Sequence, residues 1–187
     1  DWIEAHGYPT RRQDAWRYAP HQTLSALSFG PPVLLTAGVP DLDTSIPALD
    51  GPRLVVVNGV VDVEQSTMAG PAGLHLSSLL DARREQPERL ASHFDPGDER
   101  ITDAYMALNL AFGGDGAVVR VDAGVALDVP IHIVDVEVPD ESRNASCTGV
   151  VIELGAGSSA TVIETRIGVG AEFGGSSIRT TITIGDD

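Results

Sequence analysis

Few residues in this sequence have the type and spacing to do chemistry. Gly155-Ala156-Gly157-Ser158-Ser159-Ala160 fits the G-x-G-x-x-G/A pattern of a dinucleotide-binding turn and follows a predicted strand, Val150–Leu154. That pattern holds a pyrophosphate only where a helix begins on its amides. Here Thr161-Val162-Ile163-Glu164-Thr165 follows, and its β-branched residues favour a strand. The glycines are therefore predicted to make a turn between strands. Asp122, Glu153, Glu164 and Glu172 are the acids available for paired-carboxylate chemistry of the glycosidase kind. In 162–167 acid and apolar residues alternate, the usual pattern of a solvated strand face. Sugar-cleaving sites also present aromatic platforms, and after Phe112 the only aromatic is Phe173.

Cys147 is the single cysteine. One thiol can make neither an intramolecular disulfide nor an all-protein four-cysteine zinc or iron–sulfur site, which fits a reducing compartment. It lies in the polar stretch 142–148 before a predicted strand, with no cationic cluster beside it to lower its pKa. It reads as a small, half-buried residue. The histidines His6, His21, His75, His93 and His132 are dispersed, and no two have the spacing of a local metal motif. His132 stands between Ile131 and Ile133 and is predicted to face away from them, exposed or hydrogen-bonded. All 12 basic residues are arginine, so P-loop and Schiff-base lysine chemistry are excluded. No G-x-S-x-G nucleophile elbow occurs. The expectation is a segment with no catalytic, cofactor-binding or metal-binding residue of its own.

Charge narrows the partners. Asp and Glu number 27 against 12 basic residues, a formal net charge of −15. Affinity for nucleic acid and for anionic membrane comes mainly from cations, and the basic clusters Arg11, Arg12, Arg17 and Arg83, Arg84 have acidic neighbours. Neither partner is expected. Hydrophobic residues make up 42% and charged residues 21%, the balance of a folded chain. No apolar run approaches the roughly 18–20 residues of a membrane span. The opening residues lack the basic and apolar pattern of a secretory leader. A soluble, cytoplasmic protein is expected.

The elements that would position these residues change in character near Gly113. Before it, helical signals, a hairpin and proline-rich connectors alternate. Asp1–His6 is predicted to be helical and closed by Gly7. Thr10 and Gln13 form a capping-box pattern, so a short helix is expected there, ended by Pro20. Residues 30–52 contain five prolines and read as an extended connector. Asn58-Gly59, flanked by β-branched runs, predicts a tight hairpin over 54–63. Helix is predicted over 77–94 in two pieces broken before Pro87. Asp103 starts another helix, with Ala104, Leu108, Ala111 and Phe112 on one face and Gly113-Gly114 ending it. After Gly113 the period is two. Val119-Arg120-Val121 recurs as Ile152-Glu153-Leu154 and as Ile182-Thr183-Ile184, and Gly124 and Gly157 follow the first two at equal distance. Such recurrence predicts stacked strand units, as in a parallel β-helix, which covers its own strand edges except at its ends. The expected class is mainly β with α. Residues 1–112 form a mixed α+β amino-terminal domain, and 113–187 form the first coils of a parallel β-helix, the array incomplete after Ile184.

Pro9-Thr10-Arg11-Arg12-Gln13-Asp14-Ala15-Trp16-Arg17-Tyr18 resembles the amino-terminal signature of SufD proteins of the SufB/SufD family, in which W-[RK]-Y recurs. Val55-Val56-Val57-Asn58-Gly59 matches the V-N-G segment that follows. Asn109-Leu110-Ala111-Phe112, Asp115-Gly116 and 125–133 look like that family's entry into its β-helix. The likeness spans almost the whole chain in order, and the W-[RK]-Y region favours SufD over its paralogue SufB. The resemblance implies a right-handed β-helix and a non-catalytic scaffold subunit for iron–sulfur cluster assembly. It implies pairing with a SufB-like subunit and with a SufC-like ATPase, which would hydrolyse ATP. The cluster would be assembled in the complex with partner subunits, and none would be bound by this segment alone. Family members are roughly twice as long, and the SufC-binding helices would lie in the missing carboxy-terminal part. The late histidine implicated near the subunit interface matches none of the five here. Two other readings stay open: a polysaccharide-active β-helix enzyme and a stand-alone structural β-solenoid.

Overall fold

The computed structural model describes residues 2–34, 38–138, 144–170 and 174–186. Its first elements are short. α1 (Trp2–His6) ends at Gly7, whose φ of 71° is the left-handed geometry that lets a helix stop. The Thr10 amide donates to Gln13 Oε1 at 2.7 Å, half of a capping box, yet only one 3-10 turn, Asp14–Trp16, follows it. Pro20 opens α2 (His21–Leu24) rather than closing a helix, as suits a residue without a useful N–H at a helix start. β1 (Ser28–Phe29) is next. The connector expected to be extended contains α3 (Leu42–Ser45), where the Asp41 side chain accepts from the Asp43 amide at 3.1 Å. Four residues are too few to show a helical period in sequence.

The hairpin forms as the sequence predicts. β2 (Arg53–Val57) and β3 (Val60–Val61) pair antiparallel around Asn58 (φ 48°) and Gly59 (φ 81°), the two positive angles of a primed turn. β4 (Leu74–Ser78) leads into α4 (Leu79–Glu85), and the Ser78 hydroxyl accepts from the Asp81 amide at 3.0 Å. α5 (Ala91–Phe94) and α6 (Ala104–Phe112) complete the helices. Asp103 caps α6 by accepting from the amides of Tyr105 (2.9 Å) and Met106 (3.0 Å). The buried face of α6 is Ala104, Leu108 and Asn109, and Ala111 is exposed. Asn109 displaces Ala111 from the expected face because its Nδ2 donates to two carbonyls, Thr148 O at 3.2 Å and Ser177 O at 2.6 Å.

Five longer strands follow: β5 (Gly116–Val121), β6 (Ile131–Glu137), β7 (Asn144–Leu154), β8 (Val162–Gly168) and β9 (Gly175–Ile184). β5, β7 and β9 are parallel in one sheet, with β4 antiparallel on β5 and β1 parallel at the start of β7. β2, β6 and β8 are parallel in the second sheet, with β3 on its far side. From β5 on, the chain visits the two sheets in turn. The recurring tripeptides lie in register, Val119 opposite Ile152 and Ile152 opposite Ile182. Gly124 and Gly157 occupy equivalent turns, and the Gly124 amide donates to Ala156 O at 2.8 Å. Strands on either side of residue 113 share both sheets, β2 with β6 and β4 with β5. The molecule is thus a mixed α/β fold.

Strand alternation sorts the core into layers. Leu54, Val56, Ala117, Val119, Ile131, Ile133, Val150 and Ile152 fill the space between the sheets. Val55, Val57, Val134 and Val136 face outward and are covered by Leu42 and Ile46. β2 therefore reads as an unbroken apolar run, because both of its faces are buried. On the outside of the first sheet, Leu79 and Leu90 cover Val118 and Val151. Burying each such side chain contributes about 1.5–3 kcal/mol. Among the described residues, no helix is long and apolar enough to cross a membrane.

Candidate functional site

The outer face of the first sheet carries a row of polar residues where α4 does not cover it. His75 of β4 lies opposite Arg120 of β5, and Arg120 lies opposite Glu153 of β7. The end of α4 and the turn after it stand over this row, leaving a cleft of about 230 Å³. Arg89 reaches down from that turn to grip Glu153 with two prongs, its Nε 3.1 Å from Oε1 and a terminal nitrogen against Oε2. Asp122, just past β5, has its Oδ2 3.0 Å from His75 Nε2. That hydrogen bond, helped by the Arg120 and Arg89 charges, holds the Asp122 carboxyl below the usual carboxylate range.

This arrangement suits anchoring more than proton donation. A carboxyl acting as a general acid near neutral pH needs a raised pKa, and Asp122 is shifted the other way. Glu153 and Glu164 do not form a pair. Glu153 lies outside the first sheet, whereas Glu164 shares the inward face of the second with Val162 and accepts from Thr180 Oγ1 at 2.9 Å. Glu164 is nonetheless exposed, in keeping with the solvated alternation of 162–167. Glu172 and Phe173 lie outside the described residues. Residues 155–160 form a turn leading into β8, as their sequence implies.

The histidines go to separate places. His6 stacks on the Trp2 ring, its Nδ1 2.8 Å from Trp2 O, and His21 Nε2 is 2.8 Å from Trp16 O. His132 does face away from Ile131 and Ile133; it is buried, with Nε2 2.8 Å from Thr165 Oγ1. Burial and the Arg53 charge lower its pKa. His93 of α5 packs on β7 and β9, 3% exposed. Its Nδ1 lies 3.2 Å from an Arg179 terminal nitrogen, which can only donate, so Nδ1 accepts and the neutral ring carries its proton on Nε2. Burial and the Arg179 charge lower its pKa to about 4. Among the described residues, no group of three or more His, Cys, Asp or Glu is placed to hold a metal ion.

Cys147 differs from expectation. It lies within β7 rather than before it and is 1% exposed, with Sγ 3.9 Å from Leu108 O. Burial and the nearby Glu137 push its thiol up to about 12, which keeps it protonated. Asp135 escaped the sequence reading altogether. It continues the inward series Ile131, Ile133 and sits buried between the sheets, accepting from Thr148 Oγ1 (3.0 Å) and Ser176 Oγ (2.8 Å). Burial raises its carboxyl above the ordinary value. An acid at an inward position of a predicted strand was the signal that could have found it.

The two sheets end differently from how they begin. Among the described residues, β8 pairs only with β6, and β9 lies against β7 alone along its length. Ile182 and Ile184 continue the inward register of Ile152 and Leu154, yet they are 59% and 67% exposed, against 5% for Ile152. Among the described residues, the outer edges of β8 and β9 thus carry no further strand, and on β9 the apolar Ile182 and Ile184 are uncovered.

A family model described as the SufBD protein N-terminal region matches residues 2–133, from α1 into the start of β6. The chain belongs to the SufBD family. A relative, an iron–sulfur cluster assembly SufBD family protein of Synechocystis sp., is 28% identical over 139 residues, 71% of this chain and 29% of the relative. This SufBD chain therefore spans less than a third of that relative's length in the matched region. The matched SufBD region contains the hairpin, α6 and β5, and it ends within β6, the second of the alternating strands.

Proposed function

We propose that this SufBD chain is SufD-like and serves as a non-catalytic scaffold subunit in iron–sulfur cluster assembly, pairing with a SufB-like subunit and a SufC-like ATPase. The observation that carries this reading is the match of the SufBD N-terminal region to residues 2–133, followed by parallel strands that go on alternating between the two sheets. Parallel strands with free edges recruit further strands, from the same chain or from another. The alternation from β5 to β9 supports a parallel β-helix, of which these strands are the first coils. Its hand would be right-handed, as parallel crossovers nearly always are. The edges of β8 and β9 would then be the surface on which further coils of the longer protein are laid.

The family match and the cluster-assembly name of the cyanobacterial relative favour a role in that process. The Trp16-Arg17-Tyr18 signature favours SufD over SufB. On this reading the cluster is cargo, built in a cytoplasmic complex with partner subunits, and ATP is hydrolysed by the SufC-like partner. Contact with that ATPase would lie in the part of the protein beyond this segment. The segregation of Glu153 from Glu164 separates two of the acids that the polysaccharide-enzyme reading would pair.

The test is affinity purification of the native-length protein from its own cell lysate, with partners identified by mass spectrometry. Co-purification of SufB-like and SufC-like subunits is expected. A clean preparation lacking both would overturn the assignment.

A further inference from the structure

Arg120 is the odd cation of the outer cleft. It is half-buried at the cleft floor, on β5, with His75 beside it on β4 and Glu153 on β7. Among the described residues it makes neither a hydrogen bond nor an ion pair. Its neighbouring acids are already engaged: Glu153 has both oxygens on Arg89, and Asp122 is held by His75. Glu85, the remaining acid at the cleft, sits on the exposed rim at the end of α4. In a chain with 27 acids and 12 basic residues, a half-buried guanidinium that no acid contacts directly is unexpected, the Asp122 charge acting on it only at longer range. Holding it in a cleft costs hydration, and a bound anion offsets that cost.

The rest of the cleft complements such an anion. Gln86 Oε1 accepts from Arg89 Nη1 at 3.2 Å, which fixes the amide and leaves its NH₂ group as a donor. The Ser77 hydroxyl lines the same space. A volume of about 230 Å³ suits a small molecule. The guanidinium is a planar fork matched to two oxygens of one carboxylate or phosphate.

We propose that this cleft binds a small oxyanion, a carboxylate or a phosphate group, on Arg120. The Arg89–Glu153 pair is the device that keeps Arg120 available, because it occupies the carboxylate that would otherwise neutralise it. This inference does not depend on the cluster-assembly reading.

Isothermal titration of the native-length protein with inorganic phosphate, and separately with succinate, tests it at low ionic strength. Saturable one-site binding of at least one probe is expected, and the two arms decide between phosphoryl and carboxylate ligands. Arg120→Gln should weaken binding about tenfold or more, the loss of a charge-assisted bidentate contact. Arg89→Gln should also weaken it, by freeing Glu153 to turn towards Arg120. Glu153→Gln should tighten it by roughly threefold, since it removes a neighbouring negative charge and releases Arg89. No saturable binding of either probe would overturn the proposal. So would an unchanged affinity in a folded Arg120→Gln protein. Should Arg120→Gln fail to fold, Glu153→Gln decides alone, and an affinity equal to or weaker than the parent's would sink the idea.

Discussion

Ile152 and Ile182 are neighbours across one strand pair, on the same inward face and in the same tripeptide context. The first is enclosed between two sheets and the second stands largely in solvent. Their side chains are identical, so what differs is the layer beyond. At the first end of the stack, β2 and β3 with β4 close the sheets, and helices cover the outer faces. At the other end, β8 and β9 repeat the pattern with no further strand paired to their outer edges among the described residues. An apolar side chain becomes core only when the next element arrives.

The largest expected effect contrasts charge insertion at the two ends. Val119→Asp would bury a carboxylate among Leu54, Ile131 and Ile152, at a cost above about 4 kcal/mol, and the chain should fail to fold cooperatively in urea. Ile182→Asp should change the stability of the isolated chain by less than about 0.5 kcal/mol. Equal losses in the two variants would break the contrast.

Backbone crowding gives the second test. A Cβ at Gly116, where φ is 142°, would lie 1.9 Å from Gly149 O, whereas one at Gly168 meets nothing within 4 Å. Gly116→Ala is expected to cost about 3 kcal/mol, and Gly168→Ala to stay within about 1 kcal/mol of the parent. Chemical denaturation of both would show whether the tight packing is confined to the closed end.

His93 links the ends, since it reaches from α5 to Thr181 and Arg179 of β9. Its folded-state pKa, about 4, lies below the 6.5 of a free histidine. The unfolded chain therefore binds the extra proton more readily. Stability present above about pH 6.5 should be lost as the pH falls towards 4, by an amount on the order of 2 kcal/mol. His93→Gln should flatten that part of a plot of urea midpoint against pH. A parent protein equally stable at about pH 7 and pH 4.5 would show that His93 is not held neutral. The smallest effect belongs to Ile184→Ser, expected to shift the stability of the chain by less than about 0.5 kcal/mol, measured by thermal melting.

What the sequence made legible was whatever is written locally. Asn58-Gly59 needed only its own two residues to specify a turn, and Asp103 only the two amides it caps. The three stacked tripeptides could be read because a repeat compares the chain with itself. α3 was hidden, since Leu42 and Ile46 become core only through Val55 and Val134, which lie elsewhere in the chain. The polar residues around Cys147 predict a place before a strand, yet Thr148 is buried there by its bond to Asp135. The outer cleft was legible only in fragments. Glu153 and Asp122 stand out in the sequence, but their partners Arg89 and His75 lie 64 and 47 residues away, and nothing local announces them.

The pairing of β2 with β6 also sets a clock. β2 is almost wholly apolar, and its parallel partner lies some 80 residues later, Arg53 facing His132. At a ribosomal pace of about 5–20 residues per second, that strand waits roughly 4–16 s for its neighbour. During this interval β3 guards one edge of β2 while the other stays open. The nascent chain thus passes through a window in which a sticky strand is exposed, and anything that slows synthesis between residues 58 and 131 would lengthen it.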